Sequence, residues 1–221
     1  MRLALFDLDH TLLSGDSDVL WCEFLMDEGV LERAVFAPRN AEMARRYAEA
    51  SVSAQDFCEF YVATLAGRSP AEWRPLCDRF LSAVIAPRIP PAAHALVETH
   101  RARGDRLVLT TATNRVLTGM TAEHLGIDDL LATEVELVGG RCTGRTAGVL
   151  NMREGKVERL RAWLVAEALP ARLLDEAVFY SDSANDLPLL RAVAEPVVVD
   201  PDEALHRHAV AAGWPVLRLD R

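Results

Sequence analysis

Five short apolar runs, separated by stretches of helix length or more, constrain this chain more than any other feature of its sequence. Residues 3–6, 106–111, 131–138, 177–180 and 196–199 read as buried strands. Crossovers too long for hairpins imply parallel strands joined by helices, so the expected fold is α/β. One exception is Gly139-Gly140, a two-residue hairpin signal with residues 141–143 returning beside the third run. In parallel sheets, ligands bind beyond the carboxyl ends of the strands. The polar clusters fall there. Asp7 and Asp9 close the first run, Thr110 and Thr111 the second, and Ser181 and Asp182 the fourth.

Between residue 17 and about residue 84 only helical patterning is visible. Helices are expected over 19–27, over 31–50 with Pro38 as a point of interruption, from Ser53 to 66, and from Ser69 to just before Pro87. Phe57, Phe60, Tyr61, Leu65 and Trp73 form their apolar faces. Residues 87–91 mark a boundary. Later helices are expected over 92–103, 115–125, 153–168 and 202–212, with another entering at Leu187-Pro188 and a last short strand at 216–219.

At 221 residues the chain can bury a real core, and its 33 acidic against 24 basic residues give a net charge of −9. That balance disfavours nucleic acid as a partner. Four scattered cysteines without a Cys-x-x-Cys pair argue against a zinc site and for reduced thiols. Asp7 interrupts the first apolar run too early for a signal peptide, and no stretch is long and apolar enough to span a bilayer. A cytoplasmic protein without a membrane partner is expected; the sequence carries no sign of oligomeric state.

The chemistry begins with Asp7 and Asp9, which strand alternation would put on one face. Carboxylates so close repel and need a cation or a proton between them. Thr110-Thr111-Ala112-Thr113-Asn114 offers hydroxyls and backbone N–H groups at a strand-to-helix turn, suited to phosphoryl oxygens or to capping a helix. Lys156, near a helix start, is misplaced for the helix dipole unless an anion lies close by. Ser181-Asp182-Ser183-Ala184-Asn185-Asp186 supplies metal-capable oxygens, or a cap. Acid pair, hydroxyl, lysine and acid pair, in that order, suit phosphoryl transfer to a carboxylate. Asp7 and Asp182 would bind Mg2+, Asp7 would attack phosphorus, and Asp9 would protonate the leaving alcohol and then activate water. Lys156 and Thr111 would offset charge on the transferring oxygens.

Those four motifs resemble the haloacid dehalogenase superfamily, and more narrowly its phosphoserine-phosphatase-like branch, which carries a helical cap after the first strand. The resemblance covers nearly the whole chain. It implies a Rossmann-like parallel sheet flanked by helices with an inserted all-helical cap: residues 1–16 and 90–221 as core, 17–89 as cap. It also implies a small phosphomonoester as substrate, Asp7 as nucleophile and Asp9 as acid/base, with Thr111, Lys156 and the main chain at Leu8 and Ala112 binding phosphate. Mg2+ would be held by Asp7, the Asp9 carbonyl and Asp182, supported by Asn185 or Asp186. Two positions depart from the family pattern: Ser181 where glycine is frequent, and His10 where glycine or serine is. Asp16, nine residues after Asp7, either meets a substrate ammonium or caps the next helix. No arginine near residues 61–65 suits a substrate carboxylate, which favours an amino alcohol phosphate such as histidinol phosphate over phosphoserine. A phosphotransferase would use the same core. Receiver domains share the residue types, but they are shorter, lack the insertion and carry the phosphorylated aspartate on a later strand.

Overall fold

The computed structural model describes residues 1–49 and 51–220; the expected helix end at Ala50 and the terminal Arg221 lie outside them. In chain order the strands are β1 (Leu3–Phe6), β2 (Arg106–Asn114), β3 (Asp129–Val138), β4 (Arg141–Ala147), β5 (Val178–Ser181), β6 (Glu195–Val199) and β7 (Val216–Leu217). The helices are α1 (Ser17–Asp27), α2 (Arg33–Ala48), α3 (Ala54–Val62), α4 (Pro70–Phe80), α5 (Pro91–Ala102), α6 (Arg115–His124), α7 (Glu154–Ala166), α8 (Arg172–Asp175), α9 (Leu187–Leu190) and α10 (Glu203–Ala212). They build one sheet of order β4-β3-β2-β1-β5-β6-β7, parallel throughout except for the β3–β4 hairpin.

β1 is central because it is apolar on both faces, and all four of its residues are fully buried. Leu3 and Leu5 pack on the face that collects Leu160 and Leu164 of α7, Leu173 and Leu174 of α8, and Leu205 of α10. Ala4 and Phe6 point the other way, into a cluster with Trp21, Phe24, Trp73, Phe80 and Val97. The helices inserted after β1 therefore share a continuous apolar core with one face of the sheet. Trp21 sits at its heart, with Phe80 at 5.1 Å and Trp73 at 5.7 Å between ring centroids. Each such ring contributes about 1.5–3 kcal/mol through burial. A third cluster, with Cys22, Met43, Phe57, Tyr61 and Met152, joins the insertion to the loop that enters α7.

Helix starts follow their caps. Ser53 caps α3, Ser69 and Glu72 form a capping box on α4, and Asp202 caps α10. Pro38 does not interrupt α2, which runs through it. After α4 the chain continues as a π-turn over Leu81–Ile85 and a 3-10 turn over Ala86–Arg88, so the expected single helix loosens toward Pro87. No single helix among the described residues is long and apolar enough to cross a membrane.

Candidate active site

At the carboxyl end of β1 the chain leaves the sheet at Asp7, whose N–H still donates to Tyr180 O at 3.0 Å. It then turns sharply. The Leu8 carbonyl accepts from Thr11 N and Leu13 N while the Leu8 side chain fills the core. His10 adopts φ 54°, a left-handed conformation that disfavours most side chains and that glycine would adopt without strain.

Lys156 arrives from the first turn of α7. Its ammonium lies 2.6 Å from Asp7 Oδ1 and 2.7 Å from Asp186 Oδ2, with all three side chains buried. Burial opposes the lysine charge, but Asp186 and Asp7 outweigh it and hold the group protonated well beyond its ordinary range. Gly155 permits this approach, since a Cβ there would fall 2.0 Å from Leu150 O. Asp186 makes no side-chain cap bond; its Oδ2 takes Lys156 and, at 2.7 Å, the Ser181 hydroxyl. Ser181 thus aims Asp186 at the lysine, a contact that glycine lacks.

Asp9 is held by the start of the insertion and by β2. Its Oδ1 accepts from Ser17 N at 2.6 Å; its Oδ2 lies 3.0 Å from Thr113 Oγ1 and 3.4 Å from Thr111 Oγ1. Residues 110–114 are not the expected turn. β2 continues to Asn114, and its register against β3 jumps from Thr111↔Ala132 to Asn114↔Thr133. Ala112 and Thr113 form a bulge, which re-aims Thr113 at Asp9. Asn151 fills the opened ladder, its amide nitrogen 2.9 Å from Thr110 Oγ1, 3.0 Å from Thr111 O and 2.8 Å from Leu131 O. Asn114 caps α6 by accepting from Leu117 N at 3.2 Å.

Asp16 caps α1, accepting from Val19 N at 3.0 Å, and also lines the cavity, so one side chain meets both expectations for it. Burial first, then the charge of Asp9, pushes its carboxyl up to about 7. Asn185 also lines the cavity, with its Oδ1 accepting from Arg153 Nε at 3.0 Å. Arg153 itself holds φ 53° and ψ −126° at the N-cap of α7, a strained turn that sets the approach of Lys156. The cavity measures about 50 Å³ and is lined by five aspartates (Asp7, Asp9, Asp16, Asp182, Asp186) and Lys156, with Tyr47, Phe57, Ala112 and Met152 beside them.

Five carboxyls around one lysine leave a surplus of negative charge. Burial, opposed by Lys156 and aided by Asp186 and Asp9, raises Asp7 to about 7. Burial, then Asp7 and Asp186, holds Asp182 well above the carboxylate range. A single Thr11 hydroxyl lies 3.1 Å from Asp182 Oδ1 and 3.4 Å from Asp7 Oδ2, so its one proton cannot serve both. Among the described residues no three His, Cys, Asp or Glu side chains converge as a closed metal cage. An open site of two carboxylates and a carbonyl is nonetheless what Mg2+ accepts, because it keeps several waters and binds substrate phosphate. Asp7 and Asp182, whose oxygens share the Thr11 hydroxyl, are the carboxylates that such a site would use.

Sequence reasoning placed Thr113 and Ser181 in polar clusters at strand ends without giving either a contact, and it missed Asn151. Nothing in the sequence pointed to Asn151.

A parallel sheet whose central strand ends in paired aspartates, answered by a hydroxyl, a lysine and a second acid pair, defines an α/β protein with its polar groups gathered at the carboxyl ends of its strands. The chain belongs to the haloacid dehalogenase-like hydrolases, whose family model matches residues 4–191. A histidinol-phosphatase of Neisseria meningitidis is 37% identical over 217 residues, covering 98% of each chain. A phosphoserine phosphatase of Mycobacterium tuberculosis is 31% identical over 222 residues, spanning 96% of this chain and 69% of the relative. A Bordetella pertussis protein of unknown function superposes with a TM-score of 0.92 at 41% identity, covering 98% of this chain and 97% of that one. A substrate-bound phosphoserine phosphatase shares the fold, with a TM-score of 0.67 at 18% identity over 93% of this chain and 89% of that one.

Proposed function

We propose that this protein is a Mg2+-dependent phosphatase of small phosphomonoesters that works through an aspartyl phosphate, with residues 17–89 as a cap over a core of residues 1–16 and 90–221. One observation carries the reading: Asp7, at the end of the central strand, is fixed by Lys156 at 2.6 Å while the Asp9 carboxyl stands two residues further on, held by Ser17 and Thr113. An Asp7 oxygen attacks phosphorus and the ester P–O bond breaks. Asp9 gives its proton to the departing alkoxide. Water then attacks the phosphoryl group, losing a proton to Asp9, and the P–O bond to Asp7 breaks to release phosphate. Lys156, with Thr111 and the main chain at Leu8 and Ala112, offsets charge on the phosphoryl oxygens. Mg2+ held by Asp7, Asp182 and the Asp9 carbonyl, with Asn185 beside them, would neutralise the phosphate dianion.

For the leaving group we favour an amino alcohol. Asp16 presents a carboxyl to the cavity, and no arginine is among the described residues that line it, so a substrate amine has a partner and a substrate carboxylate has none. The near full-length similarity to a histidinol-phosphatase supports histidinol phosphate as the first substrate to test. The experiment is phosphate release from histidinol phosphate, phosphoserine and p-nitrophenyl phosphate, with and without Mg2+. Histidinol phosphate should give the highest kcat/KM, and release should vanish on exhaustive chelation. Full turnover without metal would remove Mg2+ from the reading, and a preference for phosphoserine would remove the argument from the missing arginine.

A further inference from the structure

One buried acid takes no part in the chemistry above. Asp18, in the first turn of α1, is 3% exposed. Its Oδ2 lies 3.0 Å from Thr113 Oγ1, and its Oδ1 has no hydrogen-bond partner among the described residues. Thr113 is crowded by oxygen, with Asp9 Oδ2, Asp18 Oδ2 and Ser17 Oγ each 3.0 Å from its hydroxyl. A hydroxyl has one proton to give. If Asp18 were a carboxylate, it would compete with Asp9 for that proton. If Asp18 carries a proton, it donates to Thr113, and the threonine proton is free to point at Asp9.

The surroundings favour the second arrangement. Among the described residues, the charges that act on the Asp18 carboxyl are those of Asp16 and Asp9, and Cys22 of α1 with Cys58 and Tyr61 of α3 also lie within its field. Burial, then Asp16 and Asp9, keeps the Asp18 carboxyl well above the ordinary carboxylate range. An unpartnered buried oxygen also costs less on a neutral acid than on a carboxylate.

We propose that Asp18 is a positioning residue, a neutral acid that donates to Thr113 and so turns the Thr113 hydroxyl toward Asp9, fixing the proton-transfer group for catalysis. The inference rests on the assignment of Asp9 as acid/base. It ties the first turn of the insertion to the chemistry through one hydrogen-bond chain, Asp18 to Thr113 to Asp9.

The test compares Asp18→Asn, Asp18→Leu, Thr113→Val and Asp9→Asn in the full-length, Mg2+-loaded protein. The substrates are an alkyl phosphate, whose leaving group needs a proton, and p-nitrophenyl phosphate, whose leaving group does not. Asp18→Leu and Thr113→Val should lower kcat on the alkyl phosphate by about ten-fold or more, with KM nearly unchanged and a smaller loss on p-nitrophenyl phosphate. Asp18→Asn, whose amide still donates to Thr113, should recover turnover to within about three-fold of wild type. Thermal unfolding of each variant identifies a folding failure, and Thr113→Val, nearly isosteric, keeps the test open if Asp18→Leu does not fold. Equal losses on both substrates, or Asp18→Asn as impaired as Asp18→Leu, would overturn the proposal. An active Asp9→Asn would instead overturn the acid/base assignment beneath it.

Discussion

Under the proposed mechanism Lys156 is what holds Asp7 ready as the attacking carboxylate, because its ammonium meets both Asp7 and Asp186 in a buried setting. Lys156→Met should reduce turnover by at least about a hundred-fold and destabilise the fold by about 3–5 kcal/mol, as breaking a buried pair from one side does. Parallel phosphate-release and denaturant-unfolding measurements check both. The deficit in stability should shrink as pH falls, because without the ammonium Asp7 binds a proton more readily than it does beside Lys156. Asp16→Asn isolates the other cavity charge. Asparagine caps a helix as well as aspartate does, so α1 should survive while amino alcohol phosphates lose about 1–3 kcal/mol of transition-state binding and p-nitrophenyl phosphate loses little. Equal losses on both substrates would leave Asp16 as a cap alone. At this scale the sequence was most legible where a residue type is tied to a strand end. Asp7, Asp9 and Asp182 were readable in that way, and Lys156 from its place at a helix start. Asp18 was not, because one more acid in an acidic helix start looks like an ordinary first-turn charge until its burial is known.

The decisive element is the β2 bulge, which turns Thr113 toward Asp9 and is closed by Asn151 from the loop before α7. Asn151→Ala leaves the Thr111 and Leu131 carbonyls buried without their donor, and should cost about 1–3 kcal/mol for the first such group, measured by denaturant unfolding. Activity should fall with it, since Thr113 loses its support. The strands themselves followed from apolar runs, and the helix starts at residues 53, 69 and 202 from their caps. The bulge was hidden for a physical reason. A register shift depends on which β3 residues lie opposite and on a side chain some forty residues away, and neither leaves a local pattern. Pro38 misled in the opposite sense: tertiary packing of α2 overrides the loss of one hydrogen bond.

For the molecule as a whole, the acid-rich cavity couples stability to pH. Asp16 is raised to about 7 and Asp18 also lies above its unfolded value, so between about pH 4 and pH 7 the folded state binds more protons than the unfolded chain. Stability of the metal-free protein should therefore fall as pH rises through that window, and Asp16→Asn should flatten the slope in thermal unfolding. A rising or flat profile in the wild type would contradict the burial of these acids. A cavity of about 50 Å³ is far below the several hundred usual for an organic ligand. A substrate of that size is expected to part Tyr47 and Phe57, which stack at 4.3 Å beside the cavity. Amides of α2 and α3 should accordingly exchange faster than those of β1, and slow on addition of Mg2+ and phosphate. The measurement that bears most directly on the function is phosphate release from histidinol phosphate by wild type and by Asp7→Asn, both loaded with Mg2+ and both shown to be folded. Wild type should turn over, while Asp7→Asn should retain less than about a hundredth of that rate. Turnover by folded Asp7→Asn within about ten-fold of wild type would contradict covalent catalysis at Asp7.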